Sequence, residues 1–188
     1  MSKYRRMTFI AVLAAMAYIL MYISFPIIPI VPWLKIDFSD IVILFGMIML
    51  GVKDGILIAV IEELIYLIVT GPSVGHLIGV GSNFIAMFCL CLPLYLTLKK
   101  TDFIVTVKQA VCAVGLEMLV LTSVMSLANF FVITPLYINV LGMKLGFSIT
   151  KIVLLGVVPF NLIKGLVVGI AFLVMIHFLK PYFSHVKN

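Results

Sequence analysis

Long apolar blocks separated by short polar clusters run the length of this chain, the pattern of helices crossing an apolar medium. The first block covers residues 7–25 and stops at Pro26, with Pro29 and Pro32 keeping the chain extended through Trp33. After Lys35-Ile36-Asp37-Phe38-Ser39-Asp40, where Ser39 or Asp40 can cap a helix, a second block covers residues 41–52. That block reaches only about 18 Å, against a hydrocarbon core of about 30 Å. Either it begins inside the preceding loop, or the turn at Lys53 and Asp54 lies below the surface with its charges paired or snorkelling. Residues 55–70 form a third span ending at Gly71-Pro72, and residues 76–98 a fourth that closes on Lys99 and Lys100. The fifth, residues 103–133, ends before Pro135; the polar stretch 139–150 leads to the sixth, residues 151–179, interrupted by Pro159.

These spans predict an all-α integral membrane protein, a single six-helix transmembrane bundle forming one domain over residues 1–188. Composition agrees: 64% of residues are hydrophobic and 11% charged, whereas a soluble domain is nearer half apolar and a quarter charged. The net charge of +6 has a membrane explanation and needs no nucleic acid. Lys3, Arg5, Arg6, Lys53, Lys99, Lys100, Lys108, Lys180 and Lys187 fall on the side of the termini, and Lys35, Lys144 and Lys151 on the other. The positive-inside rule then makes both termini cytoplasmic. The start Lys3-Tyr4-Arg5-Arg6 and the triplet Ala15-Met16-Ala17 resemble a signal peptide, but the apolar run to Phe25 is too long for one, so a retained first helix is expected. Cys89, Cys91 and Cys112 lie in apolar runs away from any His or acidic ligand and read as buried apolar cysteines. With 188 residues there is no room for a soluble ATPase, so energy is expected from a partner or a gradient. Metal, nucleophile-elbow and phosphate-loop motifs are absent, and His76, His177 and His185 form no acid–base pair; neither enzyme nor cofactor is expected.

Polar groups at bilayer depth cost several kcal/mol and mark function. They are Glu62, Glu63, Glu117 and Lys164, with Asn83, Asn129 and Asn161. Asn161 and Lys164 share a helix face just after Pro159, whose ring frees a backbone carbonyl; an amide, an ammonium and a carbonyl together suit a polyhydroxylated or heterocyclic ligand. The alternative is a Lys164–Glu ion pair that only joins helices. Asn129, beside Ser123, Ser126 and Ala128, suits a ligand or an interhelical hydrogen bond equally, as does Asn83 among Gly79 and Gly81. Of the adjacent Glu62 and Glu63, one can meet Lys53 or Lys164 and the other should reach water or a cavity; Glu117 could face a protein partner. The loop 29–40, with Trp33 and Lys35, reads as an interfacial anchor or as a lid over a flat ring. Ala11 and Ala15 have the small-xxx-small spacing that admits another helix.

Three segments carry a family resemblance: Pro32-Trp33-Leu34-Lys35-Ile36-Asp37-Phe38-Ser39-Asp40, Asn129-Phe130-Phe131 with Pro135-Leu136-Tyr137, and Pro159-Phe160-Asn161-Leu162-Ile163-Lys164-Gly165. They resemble the riboflavin-specific substrate-binding subunit (S component) of energy-coupling factor (ECF) transporters, and the length and six-span layout extend the likeness over nearly the whole chain. The resemblance implies a riboflavin binder of the prokaryotic plasma membrane whose site opens outward. It also implies docking on one transmembrane coupling subunit and two cytoplasmic ATPases, with import by toppling in the bilayer. Asn129, Asn161 and Lys164 would then hold polar groups of the ligand, Trp33, Leu34, Lys35 and Asn83 would surround its ring, and Ala11 and Ala15 would face the coupling subunit. The pair Glu62–Glu63 matches no pattern of that family. An S component for another vitamin (thiamine or a pyridoxine-like compound) and a non-transport scaffold subunit are the other readings.

Overall fold

The structure, a computed structural model, describes residues 2–100, 106–144 and 146–186, with side chains as far as residue 178. Phe103, expected to open the fifth span, and the side chains of Lys180, His185 and Lys187 lie outside the described residues. Among the described residues, six helical passes follow one another: α1 (Lys3–Tyr22), α2 (Ser39–Leu50), α3 (Val52–Thr70), α4 (Val74–Lys99), α5 (Val107–Ala128) prolonged by α6 (Thr134–Leu141), and the short α7 (Ile149–Ile152) prolonged by α8 (Val158–Val186). Four stretches among the described residues are long and apolar enough to cross a membrane: Lys3–Tyr22, Val74–Lys99, Val107–Leu141 and Ile149–Phe178. Large apolar side chains such as Ile68, Val111, Leu119 and Phe131 project from the outside of the bundle, where lipid is the solvent that suits them.

The short second span finds its explanation in its position. Helix α2 packs against α1, α3, α4 and α8, and Met49 alone among its residues is exposed. A helix enclosed by protein has no need to match the thickness of the bilayer. Gly51 joins α2 to α3 at φ +102°, a conformation that side-chain-bearing residues rarely adopt, and so the chain reverses without a loop. At that same end, Arg6 pairs bidentately with buried Asp54 at 2.6 Å, tying the start of α1 to the start of α3. Of the two expectations for this turn, the paired charge is the one observed.

Two expected helix breaks are absent. A π-helical turn at Asn129–Ile133 carries α5 into α6 past Pro135, and another at Val153–Val157 carries α7 into α8 past Pro159. Immediately before each proline, the backbone N–H bonds five residues back, Thr134 to Asn129 O and Val158 to Val153 O. Widening the turn accommodates a ring that would clash with a regular α-helical carbonyl.

The segment after α1 is also unlike its expectation. Instead of remaining extended through Trp33, it forms a hairpin in which β1 (Phe25–Pro26) pairs antiparallel with β2 (Lys35–Ile36). Two tight turns, closed by Val31 N–H to Ile28 O and Leu34 N–H to Val31 O, fold its tip. Val31 is fully buried there against Ile152 at the end of α7 and Val153 and Val157 of the wide turn before α8.

Candidate functional site

Helices α1 and α3 end, and α4 and α8 begin, at the end of the bundle away from Lys3 and Arg6. Between these ends and the hairpin lies a cavity of about 750 Å³, within the range usual for small-molecule sites. Trp33, Leu34 and Lys35 reach it from the hairpin, Asn83 from α4, Asn129 from the π turn after α5, and Asn161 and Lys164 from the first turns of α8. The structure therefore gathers around one cavity all seven residues that the sequence marks as ligand contacts. Ala11 and Ala15 lie elsewhere, exposed on the outer side of α1, while Ala14 and Ala17 on its other side are fully buried.

The three amides and Lys164 are each oriented by a partner. The Asn129 amide donates to Met125 O at 2.9 Å and the Asn161 amide to Val157 O at 2.8 Å, each one turn back in its own helix. Thr134 donates its hydroxyl to Asn129 Oδ1 at 3.4 Å. These local bonds replace the interhelical bond considered for Asn129. Asn83 donates to Glu63 Oε1 at 2.7 Å, which brings a carboxyl group onto the cavity wall. The Lys164 ammonium lies 2.9 Å from Asp40 Oδ2, with both residues almost wholly enclosed. Its partner is thus an aspartate of α2 rather than the glutamate expected, and Lys164 joins two helices while also lining the cavity.

Asp40 is not a helix cap. The N-cap position belongs to Phe38, with no side-chain cap bond; the Asp37 carboxylate accepts from the backbone N–H of Ser39 at 2.9 Å and from its hydroxyl at 2.7 Å, while Asp40 is buried inside the bundle. Glu117, for which a protein partner was one possibility, is instead fully buried against Gly165 and Gly169 of α8. Neither of its carboxyl oxygens has a hydrogen-bond partner among the described residues, and the same holds for Glu62 Oε1. Both glutamates of the adjacent pair are buried, but only Glu63 reaches the cavity. Of the cysteines, Cys91 is buried, Cys89 half-buried and Cys112 exposed on the bundle's outside, the last contrary to expectation.

Sequence reasoning missed Asp37, Tyr66, His76 and Tyr137 as cavity-lining residues. His76 Nδ1 is 2.7 Å from Gly71 O, and its ring meets that of Tyr66 edge to face at 5.6 Å. Their position at helix ends bordering the apolar blocks was the available signal: polar aromatics at that depth pass equally well for interfacial anchors.

A six-pass bundle with a cavity at one end, lined in part by the hairpin, defines a membrane solute binder. The chain matches the family described as "ECF transporter, substrate-specific component" over residues 5–176, and it belongs to that family. It is 30% identical over 188 residues to the riboflavin transporter RibU of Staphylococcus aureus, covering 99% of this chain and 96% of the relative. The riboflavin transporter FmnP of Bacillus subtilis is likewise 30% identical, with 99% and 97% covered. A solved S component of a bacterial ECF transporter superposes with a TM-score of 0.78 at 31% identity, covering 96% of this chain and 98% of that one.

The hairpin's seat gives a test of the lid. A Cβ on Gly156 would stand 2.6 Å from Val31 Cγ1, so Gly156→Val should displace the hairpin tip. Overpacking of this kind costs about 1–3 kcal/mol. Stopped-flow measurement should show ligand leaving about tenfold faster, with helix content by circular dichroism unchanged.

Proposed function

We propose that this chain captures riboflavin outside the cell and delivers it inward as the S component of an ECF transporter. One observation carries the reading: in a chain 30% identical to riboflavin transporters over nearly its full length, Trp33 of the hairpin lines one cavity together with Asn129, Asn161 and Lys164. A flat tricyclic ring with a hydroxylated chain asks for an aromatic and apolar wall on one side and convergent donors and acceptors on the other. Trp33, Leu34, Tyr66 and Tyr137 offer the first; the three amides, Glu63 and Lys164 offer the second. Neither thiamine nor a pyridoxine-like ligand is favoured by any of these features, and a scaffold that only joins helices would not require the cavity.

The distribution of cations supports an outward-opening site. Lys3, Arg5, Arg6, Lys53, Lys99, Lys100 and Lys108 lie at the end of the bundle opposite the cavity, so the positive-inside rule makes that end, and with it both termini, cytoplasmic. Energy comes from a coupling subunit and two ATPases, and the protein's task is transport rather than catalysis. The exposed face of Ala11 and Ala15 supports docking of the coupling subunit on α1, because in lipid close backbone approach at small residues drives helix association.

Trp33 is the chain's one tryptophan, which makes its emission a direct report from the cavity. Riboflavin added to the purified protein should quench that emission saturably, and thiamine should not. Asn161→Ala should weaken the riboflavin titration about tenfold, the loss of roughly one good hydrogen bond.

Docking is tested by neighbouring alanines. Ala15→Leu should abolish cellular uptake and coupling-subunit pull-down while leaving riboflavin affinity and melting temperature intact. Ala14→Leu, on the buried side of the same helix, should instead lower the melting temperature through overpacking of about 1–3 kcal/mol.

A further inference from the structure

We infer that Asp40 is a positioning residue for substrate binding: it holds the Lys164 ammonium against the cavity and never touches the ligand itself. The inference rests on the riboflavin reading above and extends it to a residue behind the cavity wall. Lys164 lines the cavity and Asp40 does not, although their charged atoms are 2.9 Å apart. Asp40 sits in the first turn of α2, three residues beyond Asp37, the last cavity residue contributed by the hairpin segment. The ion pair therefore joins that segment to α8 as well as neutralising a buried charge.

Lysine needs such a partner more than arginine would. Its ammonium rides on a flexible four-carbon stem with three equivalent donors and no fixed plane, so its direction is set by whatever anion is nearest. Asp40 occupies part of that donor shell and leaves the remainder to the cavity. A competitor stands close by. The Glu117 carboxyl packs at Gly165, the residue after Lys164, outside the cavity lining and without a hydrogen-bond partner among the described residues. With Asp40 neutralised, the ammonium is shared between Asp37 on the cavity wall and Glu117 outside it, and is no longer held in one direction toward the ligand.

The test is a double-mutant cycle on the purified full-length protein, read by riboflavin titration beside a melting curve. Asp40→Asn should weaken riboflavin binding at least tenfold, and Asp40→Glu, which keeps the charge, should return it to within about threefold of wild type. In a Lys164→Met background, Asp40→Asn should change affinity by less than about twofold, because the residue acts only through the lysine. Unchanged affinity in Asp40→Asn, or an equal loss with and without Lys164, overturns the inference. A failure of Asp40→Glu to rescue also overturns it, since that is the mark of a purely structural role. Should Asp40→Asn alone not fold, Lys164→Met and the double variant decide: equal affinities sustain the inference and a further loss contradicts it. Wild-type protein that binds no riboflavin would instead refute the functional reading.

Discussion

The ion pair between Lys164 and Asp40 is the interaction around which this bundle is organised. A single ammonium enclosed at bilayer depth is costly, and breaking such a buried pair by removing one partner costs about 3–5 kcal/mol. The pair needs its anion on a helix that is itself enclosed, and α2 supplies one, surrounded by α1, α3, α4 and α8. A helix in that position can be short, and its shortness places the start of α2 inside the bundle rather than at the surface. The hairpin that precedes it is consequently drawn in over the cavity.

The two prolines serve the same geometry. By passing Pro135 and Pro159 through wide turns, the chain keeps two long helices continuous while altering the direction of their cavity faces. Asn129 opens the first of these turns, and Asn161 follows the second by four residues. Each amide donates to a carbonyl one turn back. The second turn also seats Val31, so the lid and the polar floor are held by one stretch of chain.

Much of this was legible in the sequence, and the reasons are specific. Asn129, Asn161 and Lys164 stood out because polar groups in apolar blocks are rare enough to demand an explanation. The six passes followed from block lengths. What stayed hidden depended on pairing across the bundle. Asp40 follows a loop at a helix start, where a carboxylate already has a local explanation, so nothing pointed to Lys164. The role of Glu117 stayed open, a protein partner among the possibilities, because one sequence does not say which side of a helix meets Gly165 and Gly169. Pro135 read as a stop because the local rule for proline takes no account of a widened turn. The second span seemed too short only on the assumption that it meets lipid.

A structure of the purified protein with riboflavin tests the central claim most directly. The account predicts the flavin in the cavity beneath the hairpin, its ring against Trp33 and its polar groups within hydrogen-bond reach of Asn129, Asn161 and Lys164, with Asp40 still paired to the lysine. A cavity left empty at saturating riboflavin, or a flavin bound elsewhere on the bundle, would contradict it.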